Sequence, residues 1–168
     1  GGLDVVFANH AIFDKAMLLE YANADDAQEK AQQILNTNVA SFIAIARAAI
    51  PYLHQSSGAF YITSSGTAAL PCAFRSFYVA SKRALHGWAD SLRFELKLAK
   101  LHNVHIGILV LGMIATPEVL ADPGNAAIAI PVPQCASDML FHAATRATQA
   151  HIPPYLAPFA TLNFFLPQ

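Results

Sequence analysis

The stretch SSGTAALPCAFRSFYVASK, residues 64–82, gathers two serines, a tyrosine and a lysine in a chain otherwise short of polar chemistry. Tyr78 and Lys82 stand at i and i+4, on one face if the segment is helical. A free tyrosine, with a pKa of about 10, is a poor acid or base at neutral pH. A neighbouring ammonium stabilises the phenolate and would lower that value. A phenol tuned in this way can give a proton to a carbonyl oxygen or take one from an alcohol. A nearby serine hydroxyl can hydrogen-bond the same oxygen. Such a transfer has a purpose when a hydride moves at the adjacent carbon, which needs a nicotinamide. A Tyr-x-x-x-Lys pair by itself is most often a solvated helix face. Ser65, upstream at the end of an apolar run, is the residue that raises the pair above that reading.

The elements that must position these groups follow from hydrophobic periodicity. LDVVFAN (3–9), GAFYITSS (58–65) and NVHIGILVLG (103–112) are short apolar runs without alternation and read as buried strands. DDAQEKAQQILNTNVASFIAIARAAIPYL (25–53) has helical composition, with Asp25 or Asp26 to cap it and Pro51 to end it. Asn36 and Asn38 are poor helix formers inside it. In SFYVASKRALHGWADSLRFELKLAK (76–100), apolar residues recur at Phe77, Ala80, Ala84, Leu85, Trp88, Leu92 and Leu96, near the helical period. PVPQCASDMLFHAATRATQA (131–150) predicts another helix, and PPYLAPF (153–159) a last short strand or loop. Residues 117–130, broken by Pro117, Pro123 and Gly124, read as a flap.

Strands alternating with helices of this length imply parallel β-α-β crossovers, and uninterrupted apolar strands imply a sheet covered on both faces. The expected fold class is therefore α/β. It is a Rossmann-like parallel sheet with flanking helices, incomplete, the C-terminal part of a doubly wound domain spanning residues 1–168. Ligands of such sheets bind beyond the carboxyl ends of the strands, where Ser64 and Ser65 stand.

Composition narrows the function. Of 168 residues, 55% are hydrophobic and 12% charged, against about 25% charged in an average soluble domain. A net charge of −1 without a basic patch argues against nucleic acid as a partner. Cys72 and Cys135 lie far apart in no metal spacing, which suits reduced thiols in an intracellular protein. His102 and His105 lack a third ligand at characteristic spacing and read as solvated loop histidines, so no metal is expected. TSSGT lacks the Gly-x-Ser-x-Gly elbow of a serine hydrolase, and no histidine is placed to serve as its base. The longest apolar run, VHIGILVLGMIA, falls short of the roughly 20 residues a membrane-spanning helix needs, so no span is expected.

With these residues in place, the chain resembles the short-chain dehydrogenases/reductases, and within them the 11-beta-hydroxysteroid dehydrogenases. YVASK is similar to the family's Tyr-x-x-x-Lys signature, with Ser65 upstream as in those relatives. LNTNVASF resembles the segment that supplies the family's asparagine, and the match falls on Asn38. GGLDVVFANHA resembles the strand and turn where most members read Asn-Asn-Ala-Gly. Asn9-His10 matches the steroid subgroup's Asn-His pair there, and Ala11 replaces the usual glycine. LGMIATPE resembles the Pro-Gly-x-x-x-Thr turn, with Leu111-Gly112 as in the steroid subgroup. The resemblance covers about residues 1–157.

The resemblance implies roles residue by residue. Tyr78 would be the general acid/base. Lys82 would lower its pKa and hold the nicotinamide ribose. Ser65 would orient the substrate oxygen, and Asn38 would hold a water in a proton relay. Asn9, His10 and Ala11 would pack along the cofactor's adenosine side, and Ile114 and Thr116 would contact its carboxamide. The flap would cover the substrate. The implied protein is an NAD(P)-dependent oxidoreductase that interconverts a ketone or aldehyde and a secondary alcohol. Its substrate would be steroid-like or otherwise lipophilic, with NADP favoured over NAD. It would be a homodimer built on the long helices, and in the steroid subgroup an endoplasmic reticulum setting. Between Asn9 and Asn38 the chain is a few residues longer than in that subgroup. Phe74, Arg75 and Phe77 in AALPCAFRSF (68–77) could shape a different substrate.

The family's opening strand, Gly-rich turn and helix, whose N-terminus holds a pyrophosphate, finds no match in this sequence. By resemblance the chain begins near the family's fourth strand. The residues that choose NAD or NADP are then expected outside it, and the chain alone is expected to bind nucleotide poorly and turn over nothing. The alternative is a truncated, non-catalytic paralogue acting as a binding or scaffold module, against which the intact Asn38, Ser65, Tyr78 and Lys82 weigh. The apolar, proline-broken LAPFATLNFFLPQ (156–168) reads as a packed tail.

Overall fold

The structure, a computed structural model, describes residues 2–158. Strands β1 (Val5–Ala8), β2 (Ala59–Ser65), β3 (His105–Leu111) and β4 (Gln149–Ile152) form one parallel sheet in the order β1-β2-β3-β4. In register, Val5 lies against Ala59, Tyr61 against Gly107, Ser65 against Leu111, and Leu111 against Ile152. The connections carry helices α1 (Ala24–Leu35), α2 (Ser41–Ser56), α3 (Ser76–Leu98) and α6 (Val132–Ala144), with short helices α4 (Pro117–Leu120) and α5 (Pro123–Ala126) between β3 and α6.

Alternate strand residues face opposite layers, as the period of a strand requires. Phe60, Ile62, Ile106, Ile108 and Val110 pack with Phe42, Ala46, Ala49 and Leu53 of α2 and with Leu85, Ala89 and Leu92 of α3. On the other face, Ala59, Tyr61, Leu109, Ala150 and Ile152 meet Cys135 and Met139 of α6. Both faces are covered, which explains why the strands read as unbroken apolar runs. Gly107 leaves room for the Tyr61 ring: a Cβ added there would stand 2.2 Å from ring carbon Cε1. The ring is fully buried, stacks on Phe7 at 5.5 Å, and its hydroxyl donates to the Ala143 carbonyl at 3.3 Å.

Several boundaries differ from the sequence-based expectation. The cap of α1 is Asn23, whose side chain accepts from the Asp26 N–H at 2.9 Å; Asp25 and Asp26 lie inside the first turn. Asn36 and Asn38 lie inside the helical run as expected, but not in α-helical geometry. They sit in a π-helical segment, Asn36–Ala40, that joins α1 to α2. Pro51 lies inside α2, which runs on to Ser56. Its ring faces solvent while Leu53 continues the buried stripe, so the missing hydrogen bond falls on the wet side. Helix α6 stops at Ala144, and the last strand is Gln149–Ile152 rather than part of 153–159. Four residues of mixed character acquire strand geometry there through pairing with β3. Residues 159–168, most of the expected tail, lie outside the described residues.

The continuous helix Ala24–Ser56 is long and apolar enough to cross a membrane by length and composition, although no unbroken apolar run of that length occurs in the sequence. In this structure its α2 half lays Phe42, Ala46, Ala49 and Leu53 on the sheet as a core helix does.

Candidate active site

The carboxyl ends of β1, β2 and β3 bring the predicted residues together. Ser65 ends β2, and its hydroxyl accepts from the Thr67 N–H at 3.3 Å and from the Thr67 hydroxyl at 3.1 Å, capping a short 3-10 turn. Tyr78 and Lys82 lie in the first turns of α3, on the face turned to the sheet. The Lys82 side chain is 2% exposed; its Nζ donates to the Thr63 carbonyl at 2.9 Å and lies 5.5 Å from the Tyr78 ring centroid. Phe13 meets the Tyr78 ring edge-on at 5.9 Å.

Asn38 is fully buried because the π-segment turns it inward; single π-turns of this kind recur at functional sites. Its Oδ1 accepts from the Ile12 N–H at 2.9 Å, and its Nδ2 donates to the Ile12 carbonyl at 2.8 Å and to Ser81 Oγ at 3.0 Å. Ser81 in turn donates to the Tyr78 carbonyl at 2.7 Å. One asparagine thus ties the turn after β1 to the helix that carries Tyr78. Ser81 was not singled out from sequence, although a small polar residue one turn beyond Tyr78 is the available signal. Ser64 was noted only as a neighbour of Ser65. It points into the layer beneath α3, where its Oγ lies 2.8 Å from His86 Nε2.

The electrostatics correct one expectation. Burial pushes the Tyr78 phenol up, while the Ser65 hydrogen bond and then the Arg75 charge pull it down. Lys82 does not hold it low. The ammonium is directed at the Thr63 carbonyl, and burial brings its own pKa down to about 8.

The remaining predicted residues form the rim. Asn9, His10 and Ala11 are exposed after β1, and His10 turns toward α2, with Nε2 2.6 Å from Ser41 Oγ. Ile114 bridges to Ile130 and packs in the second core layer, and Thr116 precedes α4. The flap is closed at its base, where Ala115 N–H donates to the Ile130 carbonyl and Ile130 N–H to the Met113 carbonyl. At 3.7 Å, Lys15 and Glu118 pair across the gap between the turn after β1 and the flap.

Two buried polar features suit a hydroxyl-rich group such as a nicotinamide ribose. Lys82 has N–H donors beyond the one given to Thr63. Thr63 Oγ1 is buried with no hydrogen-bond partner among the described residues. Lys82 would hold such a cofactor, and Asn9, Ile114 and Thr116 border the same strand ends.

Comparison with known proteins gives this geometry its context. The family model for short chain dehydrogenase matches residues 1–122. The chain belongs to the short-chain dehydrogenase/reductase family. Hydroxysteroid 11-beta-dehydrogenase 1-like proteins of Xenopus tropicalis and Gallus gallus are 30% and 32% identical over 170 and 169 residues. They cover 100% and 99% of this chain, which spans 57% of the length of each. Among solved structures, a short chain dehydrogenase from Burkholderia cenocepacia in complex with NADP superposes with a TM-score of 0.77 at 21% identity, covering 95% of this chain and 63% of that one. A 4-hydroxyisoleucine dehydrogenase complexed with NADH superposes with a TM-score of 0.71 at 15% identity, covering 87% and 64%. This short-chain dehydrogenase/reductase chain thus resembles the hydroxysteroid dehydrogenases in sequence and the wider family in fold.

Proposed function

We propose that the protein is an NAD(P)-dependent oxidoreductase that interconverts a carbonyl and a secondary alcohol on a lipophilic substrate, with Tyr78 as general acid/base. The observation that carries this reading is the buried Lys82 ammonium beside Tyr78 and Ser65 at the carboxyl ends of a parallel sheet. Burying a cation without a carboxylate is costly, and a role in binding and catalysis accounts for its retention.

When bound, a nicotinamide would supply or accept the hydride. The chain's own residues handle the oxygen. Ser65 donates a hydrogen bond to it, and Tyr78, protonated at neutral pH as a phenol ordinarily is, passes its phenolic proton to a carbonyl oxygen. Lys82 would hold the ribose hydroxyls with the N–H donors left beyond the one given to Thr63. Both polar atoms of the Asn38 side chain are occupied, so Asn38 serves the relay by holding a water through its main chain. Asn9, His10 and Ala11 would line the adenosine side, and Ile114 and Thr116 the carboxamide. NADP over NAD, a homodimer and an endoplasmic reticulum setting rest on likeness to the hydroxysteroid dehydrogenases.

The test is Tyr78→Phe in the full-length form, assayed for carbonyl-dependent oxidation of NADPH and NADH. A loss of about 10²–10⁴-fold in kcat with cofactor binding retained is expected. An unchanged rate would remove Tyr78 as the acid/base, and no turnover by the wild type would favour the scaffold reading.

A further inference from the structure

Arg75 is the one charge at the site whose place the proposed chemistry leaves unexplained. It follows Phe74, whose φ of 63° puts a bulky residue in the left-handed region. Such backbone is strained and concentrates at functional sites. The Phe74 carbonyl accepts from the Ala16 N–H at 3.1 Å, pinning the loop before α3 to the loop after β1. Beyond this pin, the Arg75 guanidinium stacks on Phe13 at 4.3 Å from the ring centroid, and Phe13 stands edge-on to Tyr78. Arg75 is half-buried and near enough to the phenol for its charge to act there.

What the guanidinium lacks is a carboxylate. Among the described residues no acidic group lies within ion-pair distance of it. Asp14, next to Phe13 on the facing loop, accepts from the Tyr21 hydroxyl, and Tyr21 packs on Phe77. The acid adjacent to Phe13 is thus engaged by Tyr21. The half-buried stack engages the face of the guanidinium and leaves the N–H fork at its edge unused, so buttressing Phe13 does not by itself account for the arrangement. A partly desolvated arginine in this position presents a planar fork suited to a carboxylate.

We propose that Arg75 is a specificity-determining residue that receives the carboxylate of a lipophilic oxo or hydroxy acid whose reacting carbon lies at Tyr78. The inference rests on the oxidoreductase reading and narrows its substrate class. The Phe13 and Phe77 rings supply the apolar wall and Arg75 the charge. The carboxylate is bound unchanged, and the proton still moves between Tyr78 and the reacting oxygen.

The experiment compares a series of medium-chain oxo acids, the oxo group placed at increasing distance from the carboxylate, with their methyl esters. Each pair is tested on the full-length protein as wild type, Arg75→Gln and Arg75→Lys, by NADPH-dependent turnover and by calorimetric binding. For at least one spacing, the wild type is expected to favour acid over ester by about 10²-fold in kcat/KM, the range of one charge-assisted fork. In Arg75→Gln that ratio collapses toward one through KM, at an unchanged melting temperature. Arg75→Lys restores only part of it. Equal handling of acid and ester by the wild type, or an equal loss of both in Arg75→Gln, overturns the inference. If neither is turned over, binding decides. Tighter binding of the acid that Arg75→Gln abolishes upholds the carboxylate site and removes the oxidoreductase reading alone. Equal or absent binding of both overturns the site.

Discussion

Lys82 is the residue whose energetics conflict most with stability. Its ordinary pKa is 10.5 and burial lowers it to about 8 in the fold. Between those values the unfolded chain binds more protons than the folded one, so stability rises as pH climbs through this window. At pH 7 both states are charged, and the fold bears about 3 kcal/mol for the buried cation. Lys82→Met removes that burden and loses the hydrogen bond to Thr63, worth about 1 kcal/mol. The variant is expected to be more stable by about 2 kcal/mol at pH 7, with the advantage shrinking as pH rises from 8 toward 10. Chemical denaturation at the two ends of that range checks this. Catalytically, loss of the Lys82 proton predicts that carbonyl reduction falls off above a pH of about 8. A rate flat across that value would show that the ammonium's charge is not used.

At the scale of elements, the site depends on joints between them. The π-segment at Asn36–Ala40 turns Asn38 inward, and its hydrogen bonds tether the turn after β1 to α3. The sequence marks this joint only as two poor helix formers. Composition says that something interrupts the helix; the packing of Ile12 and Ser81 decides that the interruption is a π-turn and not an end. The joint between β2 and β3 is legible in neither propensity nor pattern. Nothing in the apolar run NVHIGILVLG singles out Gly107, yet it sits opposite Tyr61 and accommodates that ring. Gly107→Ala is expected to destabilise the protein by about 1–3 kcal/mol, because the ring is buried and has little room to move. The midpoint of urea unfolding reads this, and an unchanged midpoint would mean the second core layer is looser than the contacts show.

For the whole molecule, the surface of the long helices is the feature to account for. Ile43, Ile45 and Tyr52 of α2 and Phe94 and Leu98 of α3 are exposed, Leu98 to 85%. Under the homodimer proposal this is where a second copy packs, so Phe94→Asp with Leu98→Asp is expected to shift the full-length protein from dimer to monomer in sedimentation equilibrium. A monomeric wild type would remove the proposal. The chain spans 57% of the length of the relatives it matches, so the dimer and the activity alike stand as proposals to be measured.

Some of this protein is settled by local pattern alone. Three unbroken apolar runs alternating with two long helical periods suffice for a parallel sheet covered on both faces, because backbone geometry and burial leave few alternatives. Tyr78 and Lys82 share a face through helix periodicity, and Ser65 falls at a strand end, so the core of the candidate site is readable from spacing. The rest needed the third dimension. Strand β4 exists because β3 offers it a ladder of partners. Asn38 points inward because Ile12 and Ser81 are there to meet it. The phenol of Tyr78 is pushed up and not down because its burial outweighs the Ser65 hydrogen bond and the Arg75 charge. Arg75 meets Phe13 because a strained residue and one backbone hydrogen bond bring two loops together. Hydrogen-bond direction and desolvation depend on which atoms finally surround a group, and spacing along the chain carries no record of that.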